Sequence, residues 1–261
     1  MSLKSEERKK ELLRILNYKN KVTVIELKER LKVSGVTVRH DLTNLQKEGH
    51  LYRVHGGAIA MEKLEYEFPF QERLEKNLQE KKSIANAALS LIKERDAIFL
   101  DSGSTILELA KLLKVFHKLT VVTNSFPVLL ELASVSSIKL IGIGGEVNPG
   151  HLAFSGSSTT RYLQDFYFDK VFLGTDGFSI EKGFMTDDLS IAEVERTAIK
   201  RAKEKIILAD STKIGSIGFT TTISSLKEID LLVTDWGIKK RHLRDFQTER
   251  IRVIVAGKSE E

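Results

Sequence analysis

The chain has 261 residues, 41% hydrophobic and 30% charged, with 3 prolines and no cysteine. That length allows one large domain plus a small one, and a sizeable buried core. The lack of cysteine excludes disulfides, thiolate metal sites and cysteine nucleophiles, and no apolar run reaches the roughly 20 residues of a membrane helix. The opening MSLKSEERKK lacks the apolar core of a secretory signal, so a cytoplasmic protein is expected.

The net charge of +5 is unevenly placed. Residues 1–60 hold 13 Lys/Arg against 7 Asp/Glu, a balance of +6, and the other 201 hold 28 against 29, a balance of −1. A basic module on a near-neutral body is the electrostatic footprint of a nucleic-acid binder, and also of an ordinary solvated basic face.

In chain order, EERKKELLRILN (6–17) sets apolar residues among charges at helical spacing. Thr23 is placed to cap a second helix, VIELKERL. Ser34 is placed to cap a third, GVTVRHDLTNLQKEG, whose Val38, Leu42 and Leu45 form one apolar stripe and which Gly49 ends. Two short helices joined by a tight turn describe a helix-turn-helix. Opposite the stripe lie Thr37, His40 and Asn44, flanked by Arg39; with Ser34 these are residue types that reach phosphates and base edges in a major groove. LYRVHGGAIA then alternates around Gly-Gly as a two-stranded wing, placing Arg53 and His55 near a neighbouring groove's backbone. Asp41 faces DNA badly and is expected to turn back to Arg30 or Arg39. Cap, turn, wing and charge agree on a DNA-binding head over residues 1–60.

Residues 61–80 read as a charged linker, helical after Pro69, that leads into a second domain over residues 81–261. There AIFLD, LTVVT, IKLIGIG, KVFLG, KIILAD, LLVTD and IRVIVA alternate with helical stretches. Continuous Val/Ile/Leu runs between helices indicate an α/β domain with a Rossmann-like, mostly parallel sheet covered on both faces. Ligands of such sheets bind beyond the carboxyl ends of the strands. Those ends carry Asp101-Ser102-Gly103-Ser104-Thr105, Thr123-Asn124-Ser125, Gly144-Gly145, Gly174-Thr175-Asp176-Gly177 and Asp210-Ser211-Thr212-Lys213. In DSGST the glycine permits close approach, and Ser104 and Thr105 open a helix whose free N–H groups favour an anion. Lys213 supplies counter-charge, and Asp101, Asn124 and Asp176 are left for hydroxyls. Any one such turn is more often only a turn; five at one sheet edge make a cradle. Asp187 and Asp188 cap the helix near Ser190 or touch a sugar. Glu193 and Glu195 read as part of a solvated helix face. His117, His151 and His242 show no ligand spacing, so neither metal nor cofactor is expected.

LKVSGVTVRHDLTNLQKEGHLYRVHGGAI closely resembles the winged helix-turn-helix of the DeoR family of bacterial transcriptional regulators, whose pattern runs V-S-x-x-T-[IV]-R-R-D-L-x-x-L and closes on H-G-G-A. EKKSIANAA, FLDSGST, VVTNS, IGGE, FLGTDG, LADSTKIG and LLVTD resemble the family's sensor domain in order, so that the likeness spans roughly residues 6–256. The resemblance implies a repressor of sugar-metabolism genes that binds operator DNA as a homo-dimer or homo-tetramer. It implies a C-terminal domain similar in fold to ribose-5-phosphate isomerase and the CoA transferases, which senses a phosphorylated sugar or related metabolite. DSGST would then be the phosphate loop, with Asn124, Asp176 and Lys213 beside it. The chain departs from the pattern at His40, where an arginine is usual, and at Ile191, where an acid is expected. The alternative is a sugar-phosphate isomerase carrying a DNA-binding head. Related enzymes have an Asp-Gly-Ala-Asp-Glu type segment, and the stretch here, Asp176-Gly177-Phe178-Ser179-Ile180, lacks the later acids, so binding without turnover is expected.

Overall fold

The computed structural model describes residues 5–19, 21–47, 50–54, 56–60, 70–215, 221–249 and 251–258. The chain forms two compact units, Met1–Tyr66 and Glu67–Glu261. Among the described residues no helix is long and apolar enough to cross a membrane.

In the first unit the order is α1 (Ser5–Lys19), β1 (Lys21–Thr23), α2 (Val24–Leu31), α3 (Gly35–Lys47), β2 (Leu51–Val54) and β3 (Gly57–Ala60). The caps fall where the sequence places them. Thr23 Oγ1 accepts the Glu26 N–H at 3.1 Å and Ser34 Oγ accepts the Thr37 N–H at 3.1 Å, each satisfying a donor that the helix leaves open. Leu12, Leu16, Leu27, Leu31, Val38, Leu42 and Leu45 close into one core with Leu51 and Ala58. Burial of each such leucine is worth about 1.5–3 kcal/mol. β2 and β3 form the expected wing, antiparallel with Arg53 opposite Ala58. The sequence does not announce β1, which pairs antiparallel with β3 and makes the sheet order β1-β3-β2. Asp41 is buried within its own unit, but its partner is neither Arg30 nor Arg39. Arg8 of α1 grips it with two bonds, Nε to Oδ2 at 2.5 Å and Nη2 to Oδ1 at 3.1 Å. Gly49 and His55 lie outside the described residues.

The second unit runs α4 (Phe70–Glu75), α5 (Leu78–Leu89), β4 (Ala97–Leu100), α6 (Ser104–Leu112), β5 (Leu119–Thr123), α7 (Phe126–Leu132), β6 (Ile138–Gly142), β7 (Glu146–Asn148), β8 (Ala153–Ser155), α8 (Ser157–Leu163), β9 (Phe168–Leu173), β10 (Gly177–Ser179), β11 (Gly183–Thr186), α9 (Leu189–Lys200), β12 (Ala202–Leu208), β13 (Thr221–Ser224), β14 (Leu231–Asp235), α10 (Lys240–Thr248) and β15 (Arg252–Ala256). The seven apolar runs of the sequence become one parallel sheet in the order β15-β14-β12-β9-β4-β5-β6. Alternate residues feed opposite faces, as the strand repeat requires. Phe99, Val171, Leu173, Ile207 and Leu232 join the core under α9 and α10. Ile98, Leu100, Phe172, Ile206, Leu208 and Val233 join the one under α5 and α6.

Part of the stretch 61–80 is no linker. Residues 61–69 lie outside the described residues, but 70–80 are built into the second unit. Phe70 is buried, Arg73 Nη2 donates to the Gly150 carbonyl at 2.9 Å, and Asn77 Nδ2 donates to Asp210 Oδ1 at 3.1 Å. Two further sheets also went unforeseen: the hairpin β7-β8 and the antiparallel trio β10-β11-β13. Their strands are three or four residues long and carry no apolar run.

Candidate functional site

The strand order reverses between β4 and β9: from β4 the chain proceeds to β5 and β6 on one side, then returns to β9, β12, β14 and β15 on the other. Connections leave such a neighbouring pair in opposite directions and open a crevice at their carboxyl ends. Asp101 follows β4, and the segment Gly174–Asp176 follows β9. The two ends are stitched together by the Gly174 N–H, which donates to Asp101 Oδ2 at 3.2 Å.

DSGST lines this crevice. Gly103 has φ +141°, a conformation that side chains rarely adopt, and it begins α6 without any side-chain cap. No side chain therefore caps the N–H groups of the first turn. Ser102, Ser104 and Thr105 are buried. Ser102 Oγ has no hydrogen-bond partner, a condition that costs a buried hydroxyl about 1–3 kcal/mol. Leu100 stands opposite Thr123 in the sheet, so Asn124 follows beside Asp101. Asn124 is fully buried; its Nδ2 donates to the Phe154 carbonyl at 3.0 Å, while its Oδ1 has no partner. These two open atoms belong to the segments that follow β4 and β5.

Other expected residues have closed their bonds within the protein. Thr123 Oγ1 accepts the Ser125 N–H at 3.0 Å, and Ser125 Oγ caps α7. Gly145 is explained by close packing: a Cβ there would stand 1.9 Å from Thr159 Oγ1 and 2.6 Å from the Ser155 carbonyl. Gly177 lies within β10, paired with Met185. Asp210 accepts from Thr212 and from Asn77. Asp176 accepts from Thr186 Oγ1 at 2.9 Å and from the Asp187 N–H at 3.2 Å, and its other oxygen lies 3.7 Å from Lys213 Nζ.

Two charged groups were missed. Lys81 on α5 is 4% exposed, and burial, with Lys213 and Arg73 nearby, lowers its ammonium to about 8 despite Asp210 and Glu108. Lys76 at the rim is lowered as well, by desolvation and then by Lys213. With Lys213 these make a cationic side to the crevice. Glu195, expected on a solvated face, is 2% exposed, and its carboxyl hydrogen-bonds to Asp101. Burial pushes the Asp101 carboxyl up, opposed by the Ser102 N–H, by Glu195 and by the Gly174 N–H.

Linear spacing also hid one gathering. His151 Nε2 meets Asp187 Oδ1 at 2.9 Å, and with Asp176 they place three ligand-type atoms within 4.8 Å of one another. Each is already engaged, Asp176 by Thr186, Asp187 and Lys213, and His151 by Asp187, so the cluster stands as the acidic side of the crevice. Asp188, not Asp187, caps α9. Burial alone would raise its carboxyl, but donors from Ser190, Ile191 and Asn148 hold it below the usual carboxylate range.

In the first unit, Arg39 and His40 are exposed and Thr37 and Asn44 half-buried on the outer face of α3. Ser34 Oγ and Thr37 Oγ1 bond each other at 2.8 Å, and Asn44 Nδ2 lies 3.4 Å from His40 Nδ1. Arg53 is turned back onto α3, where its Nη1 donates to Thr43 Oγ1 at 2.9 Å. It holds the wing to the helix instead of extending outward.

Residues 8–63 match the DeoR-like helix-turn-helix domain, and residues 76–236 match the DeoR C terminal sensor domain. The chain belongs to the DeoR family. The HTH-type transcriptional regulator GolR of Listeria innocua is 35% identical over 96% of this chain and 98% of its own. The lactose phosphotransferase system repressor of Streptococcus mutans is 36% identical over 89% and 93%. Among solved structures, ribose 5-phosphate isomerase A of Methanocaldococcus jannaschii is 18% identical over 51% of this chain and 53% of its own, with a TM-score of 0.39. This DeoR-family protein is thus a DNA-binding transcriptional regulator. Its departure at Ile191 also has a structural answer. Ile191 is buried in the core, and Glu195, one helical turn later on the same face of α9, brings an acid to the crevice instead.

Proposed function

We propose that the crevice between β4 and β9 binds a phosphorylated sugar or a related metabolite, and that this ligand modulates operator binding by the first unit. The carrying observation is the pair of buried, unpartnered atoms, Ser102 Oγ and Asn124 Oδ1, on the segments that follow the neighbouring strands β4 and β5, the first of which leads into the uncapped start of α6. Lys76, Lys81, Lys213 and the α6 N–H groups suit a phosphate. Asp176 and Asp187 suit hydroxyls that donate to carboxylates. Lys213 and Asp176, 3.7 Å apart, join the two sides, which matches a small molecule charged at one end and hydroxylated at the other.

A ligand that binds two arrangements of the protein unequally shifts the balance between them, and that difference is the available coupling to DNA. The relatives named as repressors support repression of sugar-metabolism genes in the cytoplasm. Two-fold operators call for a homo-dimer or homo-tetramer. The experiment is a melting series against matched sugars and sugar phosphates, since a ligand of the native state raises the melting temperature. Stabilisation by phosphorylated members alone, followed by a change in operator affinity, supports the proposal; equal indifference to all of them defeats it.

The Asp101 carboxyl, raised by burial, favours a second reading as an isomerase, because a buried acid in a cleft is also what a proton-transfer site contains. Against it, the Phe178–Ser179 stretch that would carry further acids lies buried in β10. Incubation with pentose and hexose phosphates, followed by NMR, separates the readings: the sensor leaves each sugar phosphate unchanged.

A further inference from the structure

Val36 stands in the first turn of α3 with 73% of its surface exposed, and it takes no part in the core of its unit. The buried side of α3 is formed by Val38, Asp41, Leu42 and Leu45. At 100° per residue, Val36 points almost directly opposite that side, on the stripe that continues through His40 and Thr43. It is an aliphatic group at the centre of an otherwise polar face, on a segment that carries a +6 balance. The hydroxyls beside it are occupied: Ser34 and Thr37 bond each other, and Ser34 also holds the Thr37 N–H. At this end of α3, Val36 is the side chain left to reach outward without a polar bond to make.

The N-terminal turn of a recognition helix is the part that meets base edges. The apolar feature on those edges is the C5-methyl of thymine. The geometry points to Val36 as a specificity-determining residue that packs on a thymine methyl in each operator half-site. This contact rests on the DNA-reading role of the first unit and adds to it an aliphatic contact that the polar groups of Arg39, His40 and Asn44 do not supply. A valine face placed against a methyl group removes roughly one to two CH₂ equivalents of apolar surface from water, worth about four- to fifteen-fold in affinity.

The test uses the full-length chain without effector. Preferred duplexes are selected from a random library, and each thymine of the selected site is then replaced singly by uracil, which removes the methyl and keeps the Watson–Crick pairing. One thymine per half-site is expected to lose about four- to fifteen-fold in wild-type affinity on conversion to uracil. Val36→Ala is expected to bind the thymine site more weakly by a similar factor and to lose most of its discrimination between thymine and uracil. Val36→Thr, which keeps one methyl and the side-chain shape, is expected to fall between. Val36 is outside the core, so the melting of the first unit serves as the folding control for all three proteins. The assignment is overturned if every uracil substitution leaves wild-type binding unchanged, or if the penalty persists in Val36→Ala. It is also overturned if Val36→Ala changes the oligomeric state and leaves thymine discrimination intact, which makes Val36 a contact between copies of the chain. A protein that selects no sequence at all defeats the DNA-reading head itself, a result distinct from a selected site indifferent to its methyl groups.

Discussion

Lys81→Met should stabilise the second unit at neutral pH while removing its response to phosphorylated ligands. Lys81 is held at about 8 against an ordinary 10.5, chiefly by burial. The difference, 10.5 − 8 = 2.5, is worth about 3 kcal/mol at about 1.4 kcal/mol for each tenfold change in proton affinity. Solvent in the crevice screens part of that, and the variant strands the Arg73 carbonyl that Lys81 Nζ now meets, leaving a net gain of about 1–2 kcal/mol. The sign follows from proton binding. The unfolded chain keeps this proton up to about pH 10.5 and the folded chain only up to about pH 8. Between those values the unfolded state binds more protons, so wild-type stability rises with pH. The advantage of Lys81→Met is therefore full below pH 8 and fades towards pH 10.5. Urea unfolding followed by Trp236, the sole tryptophan and a residue of the second unit, at pH 7 and pH 10 measures it. A variant less stable than wild type at pH 7, or equally advantaged at both pH values, refutes the reasoning.

Arg39→Ala should weaken operator binding at fixed salt and lower the slope of log affinity against log salt by about 1, because Arg39 is exposed on the outer face of α3; unchanged affinity removes it from the DNA contacts. Ser104→Glu places a carboxylate at the uncapped start of α6, where the helix dipole tolerates it and the ligand's anion cannot follow. Melting-temperature shifts with sugar phosphates should vanish in that variant while operator binding persists, and a normal shift removes DSGST as the phosphate cradle. Asp41→Ala breaks the two-bonded grip of Arg8 on a buried carboxylate and should destabilise the first unit by about 2–4 kcal/mol, seen as lost amide-exchange protection along α3. Unchanged protection means that α1 is held to α3 by the leucine core alone.

The sheet was readable because each of its seven strands carries a short run rich in Val, Ile, Leu or Phe, which a strand covered on both faces needs and a loop does not. Which strands become neighbours is not written in such runs, so the reversal between β4 and β9 emerges only in three dimensions. The short strands β1 and β13 exist through pairing with distant partners, β1 with β3 across α2 and α3 and β13 with β11 across the whole of α9 and β12. Two of the groups that matter most in the crevice were hidden for one reason. Lys81 and Glu195 sit in helices whose charges fall at ordinary solvent-facing spacing, and only the packing of α5 and α9 against the sheet takes them out of water. Asp41 shows the same limit in reverse: its need for a cation was evident locally, but Arg8 lies 33 residues away.

The polar residues at the strand ends divide by whether their bonds are complete, and that division separates scaffold from binding surface more sharply than residue type does. Thr123, Ser125, Asp188 and Asp210 look as ligand-like in sequence as their neighbours, yet each spends its oxygen on a helix start or turn within a few residues of itself. Changing them should disturb local folding first. Ser102 and Asn124 keep a buried oxygen unpaired, Lys81 keeps an ammonium where burial disfavours it, and Asp101 keeps a carboxyl pushed up by the loss of water. A fold selected only for stability has no use for so many unfavourable groups in one crevice, since apolar replacements of similar size would each relieve a cost. Under the proposed function a ligand completes them where the strand order reverses. Its phosphate offsets the crowded lysines and its hydroxyls meet Asp176 and Asp187, so the free energy withheld from folding becomes available on binding.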